Sequence, residues 1–199
     1  MKFTPATFRP AFGRVLSVIV AIVAVAALVS LVVTSGADGV LRFGWAYAFA
    51  AAVCWAIFWR PMIHVDEDLI TVRNVFRTHG VPWPAIRRID TRYSLTLETA
   101  ERTISVWAAP APSRHSVLGI SRDDIGTVRE SARIAGSIRP GDAPGTASGA
   151  PAFVIRSRWE DLRDDDLLDA NAPISTTTHW ATIGTLATLL LATILGASL

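Results

Sequence analysis

Hydrophobic positions along this chain fall into two regimes. From Val15 to Val33, from Phe43 to Trp59 and from Trp180 to Leu199 they run almost without interruption, and the only ionisable side chains inside these runs are Tyr47 and Cys54. A helix rising about 1.5 Å per residue needs roughly 20 apolar residues to cross a hydrocarbon layer about 30 Å thick. The pattern predicts three membrane helices, at residues 12–34, 41–59 and 178–199, after a short N-terminal cytoplasmic segment at residues 1–11. Lys2, Arg9 and Arg14 with Ser35-Gly36-Ala37 would also suit a secretory signal. The first run, however, is longer than the usual core of about 7 to 15 residues, so an uncleaved helix is expected.

Between residues 60 and 178 the pattern changes to short runs rich in β-branched residues. Residues 62–65 and 69–73 read as two strands around the turn Asp66-Glu67-Asp68, with Ile70 and Val72 alternating against Thr71 and Arg73. Residues 76–81 supply a third strand. Pro82-Trp83-Pro84 forces a corner, because two prolines remove two ladder donors, and it leaves Trp83 and Ile86 free to point inward. Strand patterning resumes at 86–91, 94–97 and 103–107. Such a set predicts a small antiparallel system, closed or nearly closed to limit exposed edges. A helix is then predicted over 122–138, capped by Ser121 and apolar at Ile125, Val128, Ala132 and Ala135, where it would plug an open end.

Arg60-Pro61, Val65-Asp66, Leu69-Ile70-Thr71-Val72-Arg73-Asn74, Val81-Pro82-Trp83, residues 86–90 and residues 104–108 together resemble the PH-like domain of bacterial membrane proteins of the low molecular weight protein antigen 6 type. The resemblance extends from residue 60 to about 138 and follows a membrane hairpin, as in that family. It implies a seven-stranded bent barrel capped by a C-terminal helix, and no established enzymatic activity. The expected fold is therefore three membrane α-helices plus a small, mainly-β PH-like barrel at residues 60–139. Pro82, Trp83, Ile86 and Trp107 are its structural signature, the two tryptophans being expected in the core. Beyond it, composition predicts a flexible linker at 140–156 and a short acidic helix at 157–170, opened by Ser157 and Glu160 as a capping box.

Charge sets orientation. The chain carries a formal +2. Lys2, Arg9, Arg14 and Arg42 against Asp38 make residues 1–59 +3, so the remainder is −1. No basic patch sized for a nucleic-acid backbone follows. Basic residues before the first helix, and Arg60 after the second, place the N-terminus and the central domain on the cytoplasmic side of a bacterial plasma membrane, in a multi-pass protein. Trp45, Trp59 and Trp180 suit the interfacial belt. Gly184, Thr188, Ala192 and Gly196, and Ala48, Ala52 and Ala56, recur every four positions as stripes of small residues for helix packing in lipid.

The chemical inventory is sparse. The acidic set Glu160, Asp161, Asp164, Asp165, Asp166 and Asp169 lacks the alternation and glycine turn of a calcium loop and reads as a solvated face. His64, His79, His115 and His179 have no ligand spacing, and Cys54, the only cysteine, lies in an apolar run, so neither a metal site nor a cofactor is expected. No nucleophile elbow or phosphate loop supports catalysis. The expected function is an interaction or scaffolding module for an unidentified protein partner or a second copy of the chain, with membrane lipids around the helices. Arg73, Arg77, Arg87, Arg88 and Arg92 form a candidate surface toward a partner or anionic headgroups, at roughly 1 kcal/mol per charge. PH domains that bind phosphoinositides place basic residues around the first hairpin loop, and here that loop is acidic.

Overall fold

A computed structural model describes residues 3–112, 133–134, 137–138, 142, 146–168 and 172–198. The chain divides into two compact units, Met1–Arg9 with Met62–Thr177, and Pro10–Pro61 with Thr178–Leu199.

The first unit is built on two antiparallel sheets. Strands β2 (Met62–Val65), β3 (Leu69–Arg73) and β4 (Arg77–Pro82) form a meander, with Ile63 opposite Val72 and Ile70 opposite Val81. It is extended at one edge by β1 (Ala6–Phe8) and at the other by β10 (Ser175–Thr178). The second sheet contains β5 (Ile86–Asp90), β6 (Ser94–Thr99) and β7 (Thr103–Pro110). No ladder joins the two sheets among the described residues, so the domain is an open sandwich of five and three strands where a closed barrel was predicted. The physical reason is the Pro82-Trp83-Pro84 corner, a single 3-10 turn at Trp83–Ala85 that ends pairing on β4 before β5 begins.

Strict alternation fills the space between the sheets. Ile63, Val65, Ile70, Val72 and Val81 face Leu95, Leu97, Ile104 and Val106, all buried. Trp83 and Ile86 complete this core at the corner. The N-terminal segment, expected only to precede a membrane helix, contributes a strand. Its Phe3 and Phe8 pack on the core, Phe3 standing edge-on to Trp83 at 6.4 Å between ring centres.

The helix that covers the core is not the one predicted. Residues 133–134 and 137–138 are short paired strands, β8 and β9, and the rest of the predicted 122–138 helix lies outside the described residues. Instead α3 (Gly149–Asp164) supplies Ala152, Ile155 and Leu162 to the core. It starts inside the predicted linker and runs through the predicted cap at Ser157. Pro151 is compatible with it because a first-turn residue has no intrahelical partner for its N–H to lose. The Gly149 N–H finds the Thr146 hydroxyl at 2.9 Å. At the other end Asp166 takes φ 55°, and the N–H groups of Asp166 and Leu167 bond back to the carbonyls of Arg163 and Leu162.

One buried ion pair fixes α3 to the second sheet. Arg156 Nη1 meets Asp142 Oδ1 at 2.5 Å, the Thr91 hydroxyl donates to the same oxygen at 2.5 Å, and Arg156 Nη2 donates to the Ile89 carbonyl at 3.3 Å. Trp159 adds an indole N–H bond to the Ile86 carbonyl at 3.2 Å.

In the second unit, α1 (Ala11–Gly39), a π-helical stretch at Val40–Gly44, α2 (Trp45–Cys54) and a second π stretch at Trp55–Trp59 follow one another, and a kink at Gly36 divides them into two helices with almost no connector between. The run folds back at Gly36, whose φ of 59° and ψ of −153° suit a residue without Cβ. Its arms are antiparallel: Gly13 lies against Phe58, the Arg14 guanidinium sits 6.0 Å from the Trp59 ring centre, and Gly44 approaches Leu28. Among the described residues two helical segments are long and apolar enough to cross a membrane, Ala11–Trp59 and α4 (Trp180–Ala197). Arg60 reaches the Thr182 hydroxyl at the start of α4. The small-residue stripe on α4 is half used. A Cβ at Gly196 would come within 2.7 Å of the Leu41 carbonyl oxygen, whereas one at Gly184 would meet nothing within 4 Å.

Gly196→Leu is therefore expected to abolish disulfide crosslinking between cysteines placed at Ala52 and Thr185 in a Cys54→Ser background, and Gly184→Leu to preserve it. Equal yields for both would contradict this packing. In the sandwich, Arg156→Met strands a buried carboxylate and should cost about 3–5 kcal/mol, most of it recovered by adding Asp142→Leu. Chemical denaturation in micelles, followed by tryptophan fluorescence, measures both.

Candidate functional site

Alternation on β3 turns Ile70 and Val72 inward and Arg73 outward. Arg77 opens β4, while Arg87 and Arg88 lie on β5 and Arg92 in the turn that follows; these four are exposed. Of the five arginines read from sequence, Arg73 and Arg77 thus lie on the first sheet and Arg87 and Arg88 on the second, with Arg92 in the turn after it. Arg88 stands opposite Glu98 across the β5–β6 ladder, which further offsets its charge.

The corner residues behave as structure. Pro82 closes β4, Ile86 is buried, and Trp83 is 2 % exposed. The Trp83 indole N–H points at the carbonyls of Glu67 (2.9 Å) and Asp66 (3.2 Å), so a core residue pins the acidic first hairpin turn. Trp107 departs from its expected burial. It is 55 % exposed, because the outward positions of β7 are Thr103, Ser105 and Trp107 while Ile104 and Val106 face the core.

Trp107 is nevertheless held rigidly at its backbone. Its N–H donates to Asn74 Oδ1 at 3.0 Å, and Asn74 Nδ2 donates to the Ser105 carbonyl at 2.9 Å. Asn74 belongs to the β3–β4 turn, closed by its N–H to the Arg77 carbonyl at 2.8 Å, and that turn exposes Phe76. A single amide side chain thereby ties two exposed aromatic residues, on different sheets, into one fixed framework.

A second constellation was missed by sequence reading. His79 is an inward position of β4, 8 % exposed, and its Nδ1 lies 3.0 Å from the Thr176 hydroxyl on β10. Arg102, in the β6–β7 turn, donates to that same hydroxyl at 3.3 Å. Gly80 permits β10 to approach, since a Cβ there would collide with the Ser175 hydroxyl. Burial, and then the nearby charges of Arg102 and Arg77, lower the His79 pKa from its usual 6.5. The only sequence clue was the spacing of Arg77 and His79; Arg102 and Thr176 reach them solely through the fold.

Of the remaining candidates, His64 Nδ1 lies 2.7 Å from the Thr7 hydroxyl and so supports the β1–β2 pairing. Asp161, Asp164, Asp165 and Asp166 are exposed at the end of α3, with Arg163 paired to Asp164 at 3.1 Å. His115 and Asp169 lie outside the described residues. No group of three His, Cys, Asp or Glu side chains is arranged for a metal ion among the described residues.

Residues 60–142 match a family model described as a bacterial PH domain. No curated protein and no solved structure matches the chain. The matched segment contains β2 to β7 and ends on Asp142, the buried partner of Arg156.

Because folded His79 resists protonation, the unfolded chain takes up a proton first as pH falls below about 6.5. Stability should be constant above that pH and decline below it until the folded pKa is reached. His79→Asn should flatten this part of the profile. Urea midpoints between pH 7.5 and 5 in a phosphate-free buffer provide the measurement; an unchanged slope in the variant would refute the assignment.

Proposed function

From its identity as a bacterial PH-like domain protein, we propose that this chain is a multi-pass membrane protein that presents the domain at the cytoplasmic face as a non-catalytic module for binding a protein partner. Support for the membrane part is the apolar run Ala11–Trp59, folded back at Gly36, together with α4. Val15, Ile19, Ile22, Val29 and Val33 are all more than half exposed within the first unbroken apolar run, a surface suited to lipid rather than water. The basic flank Arg9, Arg14 and Arg60 favours the cytoplasmic side for the domain.

The observation that carries the partner reading is Trp107. A large aromatic side chain held outward on a rigid strand contributes little to its own fold, and such side chains dominate binding energy when a partner desolvates them. The edge strands of the five-stranded sheet, β1 and β10, are only three and four residues long and offer an added strand little ladder, so the aromatic face becomes the better contact.

A photocrosslinking amino acid at position 107, used in living cells, tests this. The expected result is a discrete adduct heavier than the monomer, absent when the probe is moved to position 92 and lost on Phe76→Ser. An adduct of twice the monomer mass would identify the partner as a second copy. Monomer alone from position 107 would overturn the reading.

A further inference from the structure

The rim between the sheets, on the β4–β10 side, is polar where the rest of the interior is apolar. Three basic residues gather there from separate elements: Arg77 and His79 on β4, and Arg102 on the β6–β7 turn. His79 and Arg102 share one partner, the Thr176 hydroxyl, which accepts from Arg102 and lies within hydrogen-bond distance of His79 Nδ1, while Arg77 acts on His79 through its charge. While it accepts from Arg102, the hydroxyl can donate its single proton to a neutral imidazole. The remaining groups facing His79 are Val72 across the β3–β4 ladder and, beside Arg102, Glu101, whose carboxylate is 3.8 Å from Arg102 and well exposed. One acidic side chain thus stands against two guanidiniums and an imidazole.

We infer that Arg77, His79, Arg102 and Thr176 form a binding site for a phosphate-type anion at the open rim of the sandwich. Guanidiniums are suited to this ligand because their fixed forks donate two parallel hydrogen bonds to an oxyanion. Protonated His79 adds a third positive charge and, because Nδ1 then donates rather than accepts, frees the Thr176 hydroxyl proton for the anion. The neighbouring arginines disfavour that proton in the free protein; a bound anion reverses the balance, so anion and proton bind with positive coupling. The same chemistry is offered by a free phosphate and by the headgroup of a phosphomonoester lipid. The site does not involve Trp107, and loss of partner adducts at that position leaves it unaffected.

Histidine ring NMR of the full chain tests the assignment, with the His79 resonance identified by its loss in His79→Asn. In zwitterionic micelles, saturating inorganic phosphate is expected to raise the His79 titration by about one unit, equivalent to roughly tenfold tighter binding to the protonated form. A shift that occurs instead only in nanodiscs containing phosphatidic acid, and not in phosphatidylcholine alone, assigns the site to a lipid headgroup. Either shift should vanish in the Arg77→Gln/Arg102→Gln variant and in Thr176→Val, all exposed positions, and persist in Arg163→Gln on α3. No shift with phosphate or with phosphatidic acid overturns the site. So does a shift that survives the double arginine variant.

Discussion

The fold of the first unit depends on one buried ion pair. Asp142 and Arg156 are both withdrawn from water, and such a pair is tolerable only when every remaining hydrogen-bonding position is filled. Here Asp142 Oδ1 takes both the Thr91 hydroxyl and Arg156 Nη1, and the Ile89 carbonyl takes the second guanidinium nitrogen. Thr91 and Ile89 come from β5 and the turn after it, so the pair holds α3 in one register against the second sheet. Ala152, Ile155 and Leu162 then fall onto the core. Apolar contact supplies the bulk of the burial, but it is indifferent to small slides of a helix. A buried charge is not.

The same division of labour runs through the sandwich. Alternating Ile, Val and Leu positions bring the sheets together, and a few directed polar bonds set where they stop. Trp83 fastens the first hairpin turn, Asn74 locks the β3–β4 turn to β7, and Arg102 reaches Thr176 across the open rim. Each bond joins residues that neither strand pairing nor helix periodicity would place together. An open sandwich needs them more than a closed barrel does, because no continuous ladder fixes the relation of one sheet to the other.

Local periodicity made the first meander legible: residues 62–65 and 69–73 read as paired strands and are, Ile70 and Val72, read as alternating against Thr71 and Arg73, are buried, and Pro82-Trp83-Pro84 read as a corner and is. What failed depended on distant contacts. Residues 6–8 carry too little pattern to announce a strand, and become one only because β2 offers an unpaired edge. Pro151 and the surrounding glycines and alanines read as a linker, yet a proline in the first turn is compatible with a helix whose other face is buried. Trp107 was misplaced by residue type alone, whereas the alternation of Ile104 and Val106 already assigned it outward. The arginines were grouped by proximity in sequence, which says nothing of the sheet on which each lies: Arg73 and Arg77 are on the first, Arg87 and Arg88 on the second. Arg102 and Thr176, 74 residues apart, could meet only in three dimensions.

The two surfaces left by this architecture differ in physical kind, and that difference organises function. Around Trp107 the domain offers rigid aromatic area, whose affinity for a partner would be largely insensitive to salt and pH. Around His79 it offers positive charge held partly out of solvent, where affinity for an anion would rise with proton uptake. Both depend on turns that bridge the sheets, Asn74 for one and Arg102 for the other. The chain also enters and leaves the sandwich by short routes: β1 ends three residues before α1, Trp59 stands three before β2, and only His179 separates β10 from α4. Under the proposed membrane reading, three such short connections limit how far the domain can diffuse, which raises the effective concentration of ligands in the same membrane over those in solution, so a modest intrinsic affinity at either surface would be sufficient.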